Sequence, residues 1–443
     1  MEFWKRIKKY IFNTGYLFLD KCFRALLVIF VWSRVFKFLG PAQLGIFSLA
    51  LCLVAFVDPI AELCFGSVII KRLVDKPADR DKILGSSFVL QLLTTILSVV
   101  ILGVITSILS LDSGTVLIVF CMSLRLIFQL FKNVLDYYFQ SEILAKHLVM
   151  AQSVAYGLTM VSCFLLIFFK MPLICFALVV VGESMASGCL LILFYHQSGH
   201  KISSWNSDWQ YMKGLAVEAW PLVFMGISWA ICEKIDQVMI KKMLGDVSLG
   251  YYAAAVRVSE ATYFIPVMIV GSLFPAIVRS KTFHNGVYEA RIQSLTLALF
   301  LIAVSVSVIF TIFSREIIYL LFGDSFAQAA PVVALYVWTN IFIFLGYLRN
   351  RWAVNENLQV YMMVYACVGA IVNTTLNFVL IPLYSIEGAA IATLISYFVI
   401  YIVCNLFSSH TRGFLKLQLG SMNLLGLAKN KVFIKTFRPV AKV

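Results

Sequence analysis

The chain has 443 residues, of which 61% are hydrophobic and only 13% charged, and it carries a formal net charge of +14. A mean hydropathy of +0.92 is more than a soluble core can hide, so a water-soluble enzyme or binding domain is excluded and lipid is the expected solvent. The excess Lys and Arg lie in polar stretches between apolar runs, a pattern of membrane topology and anionic lipid contact rather than of nucleic-acid binding.

Runs long enough to cross roughly 30 Å of hydrocarbon as helices recur along the whole chain. In order they fall at roughly 14–38, 42–70, 83–108, 114–138, 146–169 and 172–195, then 214–243, 248–278, 288–313, 328–349, 358–381 and 384–408. The expected fold class is all-α integral membrane, with about twelve transmembrane helices. The basic start Met1–Lys9 leads into a run interrupted by Asp20, Lys21 and Arg24 with no small-residue cleavage site. It reads as a retained first span rather than a signal peptide.

Basic residues crowd alternate connections: the start, Lys71 to Lys82, Lys201, Arg279 with Lys281, Arg349 with Arg351, and the tail from Arg412 to Lys442. The other connections hold little beyond Lys37, Lys170, Lys241, Lys242 and Arg315. By the positive-inside rule both termini are expected in the cytoplasm. Outer connections are expected to be turns of a few residues, which leaves no room for the large outer catalytic loop of a polytopic polymerase or glycosyltransferase. No Walker loop, nucleophile constellation or metal triad appears either. The ten cysteines lie in or beside apolar spans without a CxxC pair and read as small core hydrophobes. His196 and His200 are four apart in a polar loop with no third ligand nearby, and read as solvated.

That loop, His196 to Lys213, is the longest and most polar connection. It divides the chain into an N-terminal six-helix half (1–200), a cytoplasmic linker (201–213), a C-terminal six-helix half (214–408) and a basic cytoplasmic tail (409–443). The turn Leu39-Gly40-Pro41-Ala42-Gln43-Leu44-Gly45 recurs as Leu244-Gly245-Asp246-Val247-Ser248-Leu249-Gly250. Six helices separate the copies, so the halves are expected to be parallel repeats, an arrangement that usually encloses a cavity.

A charge at the bilayer centre costs at least ~2.5 kcal/mol, so intramembrane ionisable residues are expected to face protein or water. Asp58 and Glu62, four apart in the second span, share a helix face, as do Arg257 and Glu260 in the eighth. Asp20 with Arg24, Arg34 near the outer end, Arg125 with Asp136, Glu183, Glu218 and Glu233 to Asp236 complete the set. Structural ion pairing is the competing account of each. Pro59, Pro221, Pro266 and Pro275 introduce kinks, either static or able to bend so that one side of a cavity opens while the other closes. Asp236, Asn373, Asn377 and Thr393 all fall roughly 8 to 14 Å below the outer helix ends. One carboxylate with neutral oxygens at one level suits a cation, and interhelical hydrogen bonding explains the Asn and Thr residues equally well.

The stretch Glu233-Lys234-Ile235-Asp236-Gln237-Val238-Met239-Ile240, running into Leu249 to Glu260, resembles the polysaccharide-export branch of the MATE/MOP superfamily, the O-antigen (Wzx-type) flippases. Leu321-Phe322-Gly323-Asp324-Ser325-Phe326, Asn373 to Pro382 and Glu387 to Thr393 add to the resemblance, as does the first turn from Leu39 to Gly45. It implies a V-shaped twelve-helix fold in the bacterial inner membrane. It further implies translocation of undecaprenyl-pyrophosphate-linked repeat units to the periplasmic leaflet, powered by a proton or sodium gradient without a bound cofactor. Membrane lipid and other polysaccharide assembly proteins are the implied partners. Arg24 and Arg257 match positions where related flippases direct arginine at the pyrophosphate, and Asp58, Glu62, Arg125 and Glu260 are the further substrate contacts expected. Asp236, Asn373, Asn377 and Thr393 correspond to a sodium site in peptidoglycan-precursor relatives, with Asn377 standing where an acidic ligand is usual. A drug or organic-cation antiporter of the same fold is the alternative, and it favours an acidic, aromatic cavity over arginines.

Overall fold

Every expected span becomes helical. The computed structural model describes residues 2–280 and 285–421, with side chains from residue 30 onward apart from 145 and 285–287. Helices account for nearly all of it, and no strand occurs among the described residues. Helix α1 (Glu2–Glu62) carries the first two spans, broken at Gly40. The short α2 (Gly66–Asp75) follows, and then α3 (Arg80–Ile108), α4 (Ser113–Ser141), α5 (Ala145–Phe168), α6 (Leu173–Gln197) and α7 (Trp209–Leu244) hold one span each. Helices α8 (Asp246–Glu260) and α9 (Phe264–Ser280) share the eighth span, and α10 (Asn285–Ile312) is the ninth. After α11 (Ser314–Phe322), α12 (Ala329–Tyr336) and α13 (Thr339–Asn355) form the tenth, bent by 41°. Helix α14 (Gln359–Phe398), broken at Ser385, contains the last two and continues through a π turn at Val399–Val403 into α15 (Cys404–Phe407) and α16 (Ser409–Ser421).

Nine described segments are long and apolar enough to cross a membrane, ten with the bent pair. Since α1 and α14 each break in the middle, the twelve expected spans all have counterparts, and the chain is a multi-pass membrane protein. The lipid-facing flank is plain on α3, where Leu92, Leu93, Ile96, Leu97, Val100 and Val104 are all exposed, an apolar surface that only hydrocarbon tolerates.

Three segments differ from expectation. The second span ends at Glu62 rather than near residue 70, because Leu63 and Cys64 turn left-handed (φ 56° and 50°) and redirect the chain into α2. The connection after the ninth span is the packed helix α11 instead of a short turn: Phe322 stacks on Phe36 at 6.0 Å and meets Phe326 at 5.4 Å. Residues 409–421, expected in the tail, form α16, which packs on α10. It is pinned by Thr411 to the Tyr365 hydroxyl (2.8 Å), by His410 to the Tyr361 hydroxyl (3.0 Å) and by Gln418 donating to the Leu345 carbonyl (3.2 Å). Residues 422–443 and Lys281 lie outside the described residues.

Packing separates two units, Phe38–Gly250 and Met1–Lys37 with Tyr251–Val443. In the first, the ends of α2, α3, α4, α6 and α7 close over a core that includes Phe65, Ile69, Leu84, Phe139, Leu191, Tyr195 and Leu215. The linker expected at 201–213 is fastened to this core. Trp205 donates its indole N–H to Tyr195 Oη (3.1 Å), Lys82 pairs with Asp208 (2.8 Å), and Asp208 caps α7 through the Tyr211 amide (2.8 Å). The Lys82 ammonium and that amide hold the Asp208 carboxyl below its usual range. His200 faces the Arg80 guanidinium at 3.0 Å, and partial burial followed by the Arg80 charge pushes its pKa down.

Both copies of the repeated turn lie in the first unit and have one geometry. Gly40 (φ 72°, ψ 172°) and Gly245 (φ 87°, ψ −176°) occupy the second position of each copy in a region open essentially to glycine alone. At the seventh position Gly45 lies against the Asp246 carbonyl, and Gly250 lies against the Pro41 carbonyl. The seventh residue of each copy therefore abuts the third residue of the other. This reciprocity is what a two-fold relation between duplicated segments produces. Charge fits as well: Lys241 ends α7, Asp246 opens α8, each favoured by its helix dipole, and they pair at 2.6 Å.

Candidate functional site

In the unit formed by Phe38–Gly250, α4 presents Arg125, Gln129, Lys132, Asn133 and Asp136 at intervals of one helical turn, a polar stripe facing the end of α1. Arg125 Nη2 meets Asp58 Oδ2 at 2.5 Å, and Gln129 donates to Glu62 Oε1. A helix ending inside a membrane exposes its last carbonyls, and here α3 covers them. Thr94 donates to Ala61 O (3.2 Å) and Gln91 to Glu62 O (3.4 Å), while the Cys64 thiol approaches Pro59 O at 3.8 Å. Glu183 of α6 lies within the field of Lys132 and Arg125. Three expected substrate contacts, Asp58, Glu62 and Arg125, are thus brought into one network. Its amide members, Gln91 of α3 and Gln129 and Asn133 of α4, went unread because no charge marked them, although the turn-by-turn spacing of Gln129 and Asn133 from Arg125 was visible.

Asp236 of α7 is also in this unit, at 1% exposure, with Oδ1 accepting from the Gln237 amide at 2.7 Å. Cys52 donates to the carbonyl of neighbouring Lys234 (3.2 Å). Glu218, expected inside the membrane, is half exposed and paired with Arg72.

In the other unit the two legs of α14 are tied across the Ser385 break. Asn377 Nδ2 donates to Asn373 Oδ1 (2.8 Å), Asn373 Nδ2 reaches Thr393 Oγ1 (3.4 Å), and Thr393 donates to Ala389 O (3.0 Å). All three side chains are buried, and Asn377 Oδ1 has no hydrogen-bond partner among the described residues. Three of the four expected cation ligands therefore meet.

Arg257 is the one exposed residue between Tyr252 and Ser259; its neighbours Val256 and Val258 are buried. From Tyr252 to Ser259, α8 is thus buried on every side but the one from which Arg257 projects. Glu260, one turn on, is half-buried. The side chain of Arg24 lies outside the described residues.

Arg349, expected in a basic loop beside Arg351, is instead 2% exposed. Its Nη1 donates to the Ile400 carbonyl (2.8 Å) and its guanidinium lies 4.4 Å from the Tyr401 ring centre. That carbonyl belongs to the π turn at Val399–Val403 and also accepts from Asn405 Nδ2 (3.3 Å). Among the described residues no group of three His, Cys, Asp or Glu could hold a metal ion.

Comparison with known proteins agrees with this architecture. A capsular polysaccharide biosynthesis protein, CapF of Staphylococcus aureus, is 22% identical over 403 residues, spanning 87% of this chain and 96% of its own length. Among solved structures, the lipid II flippase MurJ in an inward closed conformation superposes with a TM-score of 0.67 at 15% identity, covering 94% of this chain and 93% of MurJ. An inward-facing multidrug resistance MATE family transporter of the MOP superfamily gives 0.65 at 14% identity, covering 90% and 96%. The fold is therefore that of the MATE and MurJ transporters, as the resemblance implied. A model of the family described as polysaccharide biosynthesis protein matches residues 12–281, more than half of the sequence, and the chain belongs to that family.

Proposed function

We propose that the chain is a flippase that carries undecaprenyl-pyrophosphate-linked repeat units of an O-antigen or related polysaccharide from the cytoplasmic to the periplasmic leaflet of a bacterial inner membrane, with both termini in the cytoplasm. The observation that carries this reading is Arg257, an exposed guanidinium in a stretch, Tyr252 to Ser259, that is otherwise buried. A planar fork of donors matches phosphate oxygens. Arg24 joins it at the pyrophosphate, and Arg125 and Glu260 contact the head group and sugars, while the polyprenyl tail stays in lipid. Movement across the membrane needs no covalent chemistry, and other polysaccharide assembly proteins receive the product.

A cation gradient drives the cycle, with Asp236, Asn373, Asn377 and Thr393 as the coupling group. The spare Asn377 oxygen supports that role. Family membership and the MurJ-like fold support a lipid-linked substrate. The drug-antiporter reading draws on the MATE-like fold alone, and an outward-facing arginine opposes an organic cation. The test is complementation: expressed in a host lacking its own flippase and given matching glycan genes, the chain restores surface polysaccharide. Normal membrane levels without display across a broad set of donor glycans, together with new resistance to cationic drugs, overturn it.

A further inference from the structure

The stretch that joins α6 to α7 is held to the first unit at both of its ends, and acid acts differently on the two. Its far end is fastened by groups that keep their charge or have none. Asn206 donates its backbone N–H to the Asp81 carbonyl (3.3 Å), and it lies so close on Gly85 of α3 that a side chain there would strike the Asn206 carbonyl. The Asp208 amide donates to Ser86 Oγ (3.1 Å), and the Asp208 carboxylate takes Lys82 (2.8 Å).

The near end rests on His200. Helix α6 closes with Gly199 left-handed at φ 81°, and the His200 amide turns back to the Tyr195 carbonyl (3.3 Å). A glycine-terminated helix end of this kind brings the residue after the glycine onto the last helical turn. The His200 ring accordingly lies against the rings of Tyr195 and Tyr138, with centres 5.4 and 5.6 Å away. Arg80, steadied by Asp81 at 3.0 Å, places its Nη1 at 3.0 Å from His200 Nε2. A guanidinium has only donors, so Nε2 must accept, and the ring is neutral with its one proton on Nδ1. Protonation makes both ring nitrogens donors and sets a positive charge against Arg80, which breaks the contact.

We propose that His200 and Arg80 form an acid-sensitive latch: neutral His200 ties the start of the α6–α7 connection to α3, and protonation of Nε2 releases that start while the stretch from Trp205 to Asp208 stays fastened. Arg80 and Asp81 on α3, Tyr138 and Glu142 at the end of α4, and Tyr195 on α6 are the titratable groups that face the ring. His196 and Lys201, its chargeable neighbours along the chain, are exposed. Burial and the Arg80 charge put the folded His200 pKa below its unfolded value. The contact's stability is therefore complete above the unfolded value, about 6.5, and is lost as pH falls through the folded one. Asp208, a carboxyl held low by Lys82 and the Tyr211 amide, keeps its contacts to lower pH, so the two ends release in order. The latch lies on the face that the proposed topology gives to the cytoplasm, and it does not depend on what the protein carries.

The test is hydrogen exchange of the full-length protein in lipid nanodiscs, measured from about pH 8 to about pH 5.5, on both sides of the ordinary histidine range, and corrected for intrinsic exchange. Amides from Gly199 to Ser204 should lose protection in acid, by up to about tenfold for each pH unit below the folded His200 value, since one proton is linked. Those from Asn206 to Tyr211 should not. His200→Gln keeps a side-chain acceptor that does not titrate in this range, and should hold protection constant. His200→Arg should lower protection in alkali to the acid level of the wild type, and His196→Gln should change nothing. Flat protection of the wild-type segment across the range, or an acid loss that persists in His200→Gln, overturns the proposal. Nitrogen NMR of histidine-labelled protein checks the latch without a substitution: the Nδ1–H tautomer of His200 is expected in alkali, and the Nε2–H tautomer overturns it as well.

Discussion

Gly250→Val is expected to leave little or no folded protein in the membrane, and Gly45→Val to do the same. A Cβ at either position would collide with a backbone carbonyl of the facing turn, at Pro41 and Asp246 respectively. Backbone cannot swing aside as a side-chain tip can, so relief requires the two turns to part, at about 3 kcal/mol or more. Gly40 and Gly245 provide the contrast: a Cβ there meets nothing within 4 Å, so Gly40→Ala suffers only backbone strain, about 1–3 kcal/mol. Size-exclusion yield and thermal unfolding in detergent check both statements. Wild-type behaviour of Gly45→Val and Gly250→Val would mean that the turns do not touch.

Arg257→Ala is expected to abolish polysaccharide display while membrane levels stay at those of the wild type, because an exposed side chain contributes little to packing. Arg257→Lys retains the charge but loses the two-pronged geometry and should restore a fraction of display. Display measured beside an immunoblot of membranes distinguishes transport from folding. Full display in Arg257→Ala would remove the residue from the substrate path.

The spans were legible because hydrocarbon thickness fixes how long an apolar run must be, and each of the twelve runs yields a helix. The repeated turn was legible too, since Gly at the second and seventh positions of both copies reflects one backbone shape and one close approach. Pairings between distant residues were not. Asp58 and Glu62 are each sixty-seven residues from their α4 partners, and spacing within a helix gives faces, not partners. Arg349 was misjudged because it adjoins Arg351 at the end of an apolar run, where basic residues usually mark a loop. Its partner, the Ile400 carbonyl in a π turn fifty-one residues away, has no sequence signature. The glycine and aromatic residues of Leu321–Phe326 were noticed as a motif, but their packing on Phe36 depends on a helix nearly three hundred residues earlier.

The most direct test of the central claim is transbilayer movement of a lipid-pyrophosphate-linked oligosaccharide in vesicles containing the purified chain. Glycan placed in one leaflet is followed by its accessibility to a membrane-impermeant glycosidase outside. The account predicts that the protected and accessible pools exchange only when the protein is present, faster under an imposed cation gradient, and not with Arg257→Ala. Exchange no faster than in protein-free vesicles, for a range of lipid-linked glycans and with the protein shown to be folded, would contradict it.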